Sequence, residues 1–358
     1  MPEPLKNIYD VKFIRQLTAE LKKSYPKFDS KGFESHVFND SWAEMELKQR
    51  MRHISQNLKV FIPKNYAQSL KVLKPAATKF GGFESMFFPD YVELYGMDDF
   101  ERSMDALEHF TQYSSSEFAI RPFIKKYPKE TMKQMNLWAK SDNYHVRRLA
   151  SEGCRPRLPW AMALPEFKRD PKLVLKVINK LKNDKSEYVR RSVANNLNDI
   201  SKDNPDIVIE TANKWMGKSP ETDWIVRHAC RTMLKAGQSE VLQLFGFSHP
   251  SHIFVEDLKL NAQVKFDGEL GFSFSLKSKK GDLKKLRIEY AIYFVKANNR
   301  QSRKVFKICE GEYAQPEKTI SRIFSFKPIT TRKYYSGEHA IAIIVNGLEM
   351  EKVNFSLI

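Results

Sequence analysis

Cysteine is scarce in this chain of 358 residues: Cys154, Cys230 and Cys309 form neither a CxxC pair nor an even set. That argues against both a disulfide framework and a zinc site. No run of about 18 apolar residues occurs, so no membrane-spanning helix is expected. The start, Met1-Pro2-Glu3-Pro4-Leu5-Lys6, lacks the basic and apolar regions of a secretory leader, and a reducing cytoplasm is the expected setting. The eight histidines show no HxxxH spacing with a following acid, so no metal is expected. Neither GxxxxGK(S/T) nor GxGxxG is present, and no cofactor is expected.

What the chain has in excess is positive charge. Sixty Lys and Arg stand against 43 Asp and Glu, a formal charge of +17 with an isoelectric point near 9.5. Residues 251–358 hold 19 basic and 12 acidic side chains, net +7, which leaves +10 on the first 250. Both parts are basic, so a polyanion is the natural partner; lysines that are merely solvated are the alternative.

The middle of the chain repeats itself. Val146-Arg147-Arg148, Val189-Arg190-Arg191 and Val226-Arg227-His228 follow one another at 43 and 37 residues, close to the length of a two-helix HEAT-type unit. A weaker copy, Glu117-Phe118-Ala119-Ile120-Arg121-Pro122, lies 26 residues upstream, and the first spacing shrinks towards that figure if Arg155 to Lys168 is an insertion. On a helix, positions i, i+4 and i+8 share a face. Arg148 and Glu152 therefore match Arg191, Asn195 and Asp199 in the next unit, with Val146, Leu149, Ala150, Val189, Val193, Ala194 and Leu197 opposite. Stacked units would line an Arg and a carboxylate or amide from each helix along an open groove.

The helical pattern runs from about Val11 to the neighbourhood of Gly246, with Pro171 and Pro205 suited to the first turns of second helices. Thereafter the period falls to two: Phe272, Phe274 and Leu276, then Ile288, Tyr290, Ile292 and Phe294, then Ile341, Ile343 and Val345, then Val353, Phe355 and Leu357. Asn346-Gly347 is a type I′ hairpin signal. The expected fold is multidomain, α plus β: a HEAT-like α-solenoid over residues 1–247, followed by an immunoglobulin-like β-sandwich of about seven strands over 251–358, without a Cys-Trp-Cys core.

Two long segments resemble a known family. Ser115 to Phe123 and Arg147 to Ala161, the latter reading Arg147-Arg148-Leu149-Ala150-Ser151-Glu152-Gly153-Cys154-Arg155-Pro156-Arg157-Leu158-Pro159-Trp160-Ala161, are similar to the signature stretches of the AlkC branch of the HEAT-like DNA alkylation repair glycosylases. Val295-Lys296-Ala297-Asn298, Lys304-Val305-Phe306-Lys307 and Thr330-Thr331-Arg332 resemble the immunoglobulin-like extension of some members. The resemblance implies excision of cationic N-alkylated bases from double-stranded DNA: 3-methyladenine, with 3-methylcytosine and 1-methyladenine. It also implies a base left largely in the duplex, and a monomer in the bacterial cytoplasm that joins the nucleoid when bound to DNA.

A base alkylated on a ring nitrogen is already a good leaving group, so the enzyme's task is to stabilise an oxocarbenium-like sugar and an attacking water. Glu117 and Glu152, carried over from the two matched segments, are the catalytic candidates, with Asp199 a third. Trp160 suits a place against the deoxyribose or lesion; a core position is its alternative. Arg148 suits a phosphate or a carboxylate, against an ordinary i, i+4 pair with Glu152. Arg190, Arg191 and Arg227 suit phosphates or repeat packing, while Asn195 and Asn196 suit DNA hydrogen bonds or loop caps. Lys279, Lys280, Lys284 and Lys285, in a basic run with Lys277 and Arg287, suit a DNA-contacting loop or a solvated hairpin tip. The rival to a glycosylase is a non-enzymatic HEAT scaffold that binds nucleic acid or protein.

Overall fold

The computed structural model describes residues 4–329 and 332–358; Thr330 and Thr331 of the extension motif, and Met1 to Glu3 of the start, lie outside them. The chain divides into two compact units, Met1–Ala229 and Cys230–Ile358. Among the described residues no helix is long and apolar enough to cross a membrane.

Among the described residues the first unit is all helical, from the short 3-10 helix Leu5–Ile8 and the α-helix Val11–Ser24 to Pro220–Ala229. Its repeat units are read off the apolar stripes: Val146, Leu149 and Ala150 of Tyr144–Glu152, and Val189, Val193, Ala194 and Leu197 of Glu187–Ile200, are all buried. Tyr144–Glu152, Glu187–Ile200 and Pro220–Ala229 stack side by side in that order. Local signals start these helices. The Asn143 side chain accepts from the His145 amide at 2.8 Å, Asp184 from the Ser186 amide at 2.9 Å, and Pro205 occupies the first turn of Pro205–Trp215, where its missing N–H costs nothing. Pro171 sits one residue before Lys172–Ile178.

The repeated Val-Arg step has a structural use. Arg147 Nη1 donates to the carbonyls of Ser141 and Asp142, both at 2.9 Å, and Arg190 Nη1 donates to those of Asp184 and Lys185 at 2.8 and 2.9 Å. Each arginine reaches back five and six residues to tie down the turn before its own helix. Arg147 also grips Asp184 with two bonds, 2.6 and 3.0 Å, which joins one repeat to the next.

In the second unit the short helices Arg231–Ala236 and Ser239–Leu244 precede eight strands: β1 (Ile253–Leu260), β2 (Gln263–Val264), β3 (Glu269–Ser278), β4 (Lys284–Val295), β5 (Gln301–Tyr313), β6 (Glu317–Ser325), β7 (Gly337–Val345) and β8 (Leu348–Leu357). They form a sheet of order β1-β3-β6 and another of order β2-β8-β7-β4-β5. Every pairing is antiparallel except the short β2–β8 contact. Phe272, Phe274 and Leu276 of β3 share one core with Ile288, Ile292 and Phe294 of β4 and Ile341 and Ile343 of β7, the sandwich that the alternation predicts. Val345 pairs with Leu348 across Asn346 and Gly347, whose φ values of +44° and +81° are those of a type I′ turn.

Candidate functional site

Both family-like segments converge on one buried chain of charges. Glu117 lies in the turn before Ile120–Lys126, Arg148 and Glu152 lie one turn apart on Tyr144–Glu152, and Asp199 lies near the end of Glu187–Ile200. Arg148 forms an ion pair with Glu117 and a second with Glu152 at 3.3 Å. Arg155 continues the chain, donating to Glu152 at 2.7 Å and to Asp199 at 2.9 Å, and Lys202 stands 3.5 Å beyond Asp199. The second oxygen of Glu152 accepts from Ser192 Oγ at 2.6 Å.

This arrangement corrects one expectation. Glu152 and Asp199 do not stand on an open surface: they are 5% and 2% exposed, because guanidinium and hydroxyl donors from other segments replace their water. Burial pushes the Glu152 carboxyl up, but the charges of Arg148 and Arg155 and the Ser192 bond outweigh it, and the net displacement is downward. Arg148 follows the same logic with opposite sign: burial lowers it, and Glu152 and Glu117 raise it further, so it stays charged.

Glu117 is the carboxylate of the chain that reaches a cleft, and its side chain is exposed to about the same extent as that of Arg148. It lines this cleft of about 320 Å³ together with Phe83, Ser115, His145, Arg148 and Tyr188. Ser115 Oγ donates to Glu117 at 2.7 Å and accepts from Arg148 at 2.8 Å, which fixes the carboxylate's orientation. The Arg148 guanidinium lies 4.9 Å from the centre of the Tyr188 ring. Burial, then the charge of Arg148, lowers the His145 pKa and keeps its ring neutral at pH 7. The cleft thus offers a carboxylate, aromatic faces and one guanidinium already held by carboxylates.

Trp160 is not a core residue. It is 65% exposed, has a left-handed φ of +62°, and packs edge-on against Phe83 of the cleft wall at 5.9 Å. Lys48, above the Phe118 ring at 4.9 Å, donates to the Trp160 carbonyl at 2.7 Å. The loop that follows Tyr144–Glu152 holds Trp160 beside the cleft.

Residues 98–233 match the family described as DNA alkylation repair enzyme, and residues 255–358 match that described as uncharacterised protein YhaZ, C-terminal Ig-like domain. The uncharacterized protein YhaZ of Bacillus subtilis (strain 168) is 45% identical over 355 residues, 99% of each chain. The alkylpurine DNA glycosylase AlkC of Pseudomonas fluorescens, solved bound to DNA containing an abasic site analog, is 39% identical, with a TM-score of 0.95 over 99% of this chain and 100% of that one. The chain belongs to the AlkC branch of the DNA alkylation repair enzymes.

The remaining candidates of this AlkC-type chain divide by environment. Arg190 is spent on its turn carbonyls and on the Trp224 face, 5.9 Å away, so its sequence position marks repeat packing. Asn195 meets His228 Nε2 at 3.2 Å, and buried Asn196 donates to the Ser151 carbonyl at 2.8 Å, so both join neighbouring helices. Arg191 is exposed and pairs with Glu187 one turn away; Arg227 is exposed as well. Lys279 and Lys280 are exposed in the β3–β4 loop, while Lys284 and Lys285 are exposed at the start of β4 itself. Arg287, in the same basic run, is 4% exposed and bound to Glu289 and Glu310, and Lys277 pairs with Glu256, so neither stands free at a loop tip. Among the described residues no group of His, Cys, Asp or Glu is arranged to hold a metal ion.

Sequence reasoning passed over Ser115, His145, Arg155 and Tyr188. Arg155 was legible as the third basic residue of the long matched segment; Tyr188 had no signal beyond its place beside the Val-Arg step.

Proposed function

We propose that this chain is a monofunctional DNA glycosylase that hydrolyses the N-glycosidic bond of cationic N-alkylated bases, 3-methyladenine with 3-methylcytosine and 1-methyladenine, in double-stranded DNA. The observation that carries the reading is Glu117. It is a carboxylate in a cleft with aromatic walls, the outer end of a chain of three carboxylates and two arginines, within a protein of charge +17. The overall charge attracts DNA, while the Glu117 carboxylate at the cleft favours a developing cation.

The N-glycosidic bond breaks as its electron pair moves to the alkylated base, which leaves neutral, and positive charge develops on the sugar. Glu117 stabilises that charge and orients the water whose oxygen bonds to the anomeric carbon, and the proton this water sheds passes to solvent, leaving an abasic site. Glu152 and Asp199, behind it, hold Arg148 and Arg155 so that Glu117 keeps its position. Trp160 lies against the deoxyribose or lesion. Trp160 and Tyr188, 65% and 42% exposed, project from the surface, which suits reading a damaged pair from outside a duplex without flipping the base. Arg191, Arg227 and the lysines 279, 280, 284 and 285 supply backbone contacts. The protein works as a monomer in the bacterial cytoplasm, on the nucleoid.

Incubating the purified chain with N-methylated duplex DNA and separating the released bases tests this reading. Release of 3-methyladenine with one abasic site per base is expected. Tight DNA binding with no release would favour the scaffold reading, which needs no carboxylate in the cleft.

A further inference from the structure

The weakest copy of the repeat hides the least ordinary arginine. Arg121 stands where Arg147 and Arg190 stand in their units, but it does not reach back to its own turn. It is fully buried on Ile120–Lys126, and it reaches forward: Nη1 donates to the carbonyls of Gly153 and Arg155 at 2.9 and 2.8 Å, and Nε to that of Met162 at 2.7 Å. All three bonds end on the segment, residues 153–162, that carries Trp160. Nη2 is buried without a hydrogen-bond partner, and burial pushes the guanidinium down to about 10. A buried charge held only by carbonyl dipoles is a costly device, and its acceptors define what it is for.

Those acceptors bracket the site. The Arg155 carbonyl receives Arg121 while the Arg155 side chain holds Glu152 and Asp199. Met162 follows Trp160 by two residues, and Lys48 fastens the Trp160 carbonyl itself from another helix. Trp160's left-handed φ is a conformation that costs energy for a side chain of its size, so it persists only where surrounding bonds over-determine it.

We propose that Arg121 is a positioning residue of this site: it clamps both ends of the loop 153–162, so that Trp160 and the Arg155 guanidinium are presented together to the carboxylates. The proposal rests on the glycosylase reading above. A repeat arginine that elsewhere ties down a turn has here been turned to hold a functional loop.

The test uses the full chain with Arg121→Lys, which keeps the charge but cannot span three carbonyls, alone and combined with Trp160→Ala. Arg121→Lys is expected to lower kcat on methylated duplex DNA by about 10- to 100-fold, the scale of misplacing a group by an ångström, with DNA affinity within about threefold. In the Trp160→Ala background the same change should cost much less, because a clamp acting through Trp160 has little left to position. Trypsin supplies a readout independent of catalysis. The Arg157–Leu158 bond is protected by the Arg157–Asp203 ion pair and by burial of Leu158, and it should become cleavable in Arg121→Lys. Lys48→Met, a change at an exposed side chain, should lower kcat by about two- to tenfold, the worth of one hydrogen bond. Full kcat in Arg121→Lys, or a loss equally large without Trp160, overturns the assignment. If Arg121→Lys folds poorly, unchanged kcat in Lys48→Met does so. A wild-type chain that releases no base fails the glycosylase reading instead, and the trypsin pattern still judges the clamp.

Discussion

Each unit of this protein contains a buried charge network, and the two are built differently. In the sandwich, Arg287 pairs with Glu289 two residues along its own strand and with Glu310 directly opposite on β5. The network is local, it lies within one strand pair, Arg287 and Glu289 are almost wholly buried, and its outer carboxylate, Glu310, pairs on with Lys307 at 3.6 Å. In the solenoid, Glu117, Arg148, Glu152, Arg155 and Asp199 come from three helices' worth of sequence, with Ser192 reaching Glu152 from 40 residues away. That network ends in a cleft. Buried ion pairs are weak evidence of stability in themselves; what separates these two networks is that the solenoid's ends in a cleft lined by Glu117 and Arg148.

Removing one carboxylate from each network is the sharpest contrast. Glu152→Gln and Glu289→Gln should each cost about 3–5 kcal/mol of stability, because each strands a buried guanidinium. Only Glu152→Gln should also depress base release in the protein that remains folded. Thermal melts paired with excision assays check this, and equal loss of activity in Glu289→Gln would erase the distinction. The Glu152 effect has a pH signature. Its folded carboxyl titrates below the unfolded range, so its stabilisation is present near neutral pH and fades as pH falls through the folded value. Asp90 behaves in the opposite sense. Burial, opposed by Arg52, raises its carboxyl to about 6, so its protonated form favours the fold and that contribution is lost as pH rises from about 4 towards 6. Melts of Asp90→Asn against wild type should therefore improve relative to wild type over that interval.

A smaller effect separates the two neighbours Arg190 and Arg191. Arg190→Ala should lower stability by about 1.5–3 kcal/mol, the worth of a charged hydrogen bond, with the salt dependence of DNA binding unchanged. Arg191→Ala should leave the melt alone and reduce the slope of log affinity against log salt by about one unit. The reverse pattern would exchange their roles.

The architecture was legible because it rests on periodicity. Val146, Val189 and Val226 are all buried, as helix spacing requires, and Phe272, Phe274 and Leu276 point into the sandwich as alternation requires. Asn346-Gly347 forms its turn for a reason contained in two residues, the tolerance of positive φ. The site was legible only in its members. Glu117, Arg148, Glu152, Trp160 and Asp199 do gather, but their exposure depends on partners that no local pattern announces. Adjacent arginines look alike in sequence, yet about 100° of helical rotation sends Arg147 to a turn and Arg148 to the cleft. Nothing in Ile120-Arg121-Pro122 indicates that its guanidinium will reach forward 32 to 41 residues.

Glu117, the carboxylate at the cleft, is expected to perform the chemistry. Single-turnover release of 3-methyladenine from duplex DNA, measured for wild type and Glu117→Gln with the melting temperature of each, tests it most directly. The account predicts a rate lower by about 10²- to 10³-fold with little change in melting temperature or DNA affinity, as expected when one preorganised electrostatic stabiliser is lost. An equal rate in Glu117→Gln, or a fall in rate that merely follows a collapse in melting temperature, would contradict it.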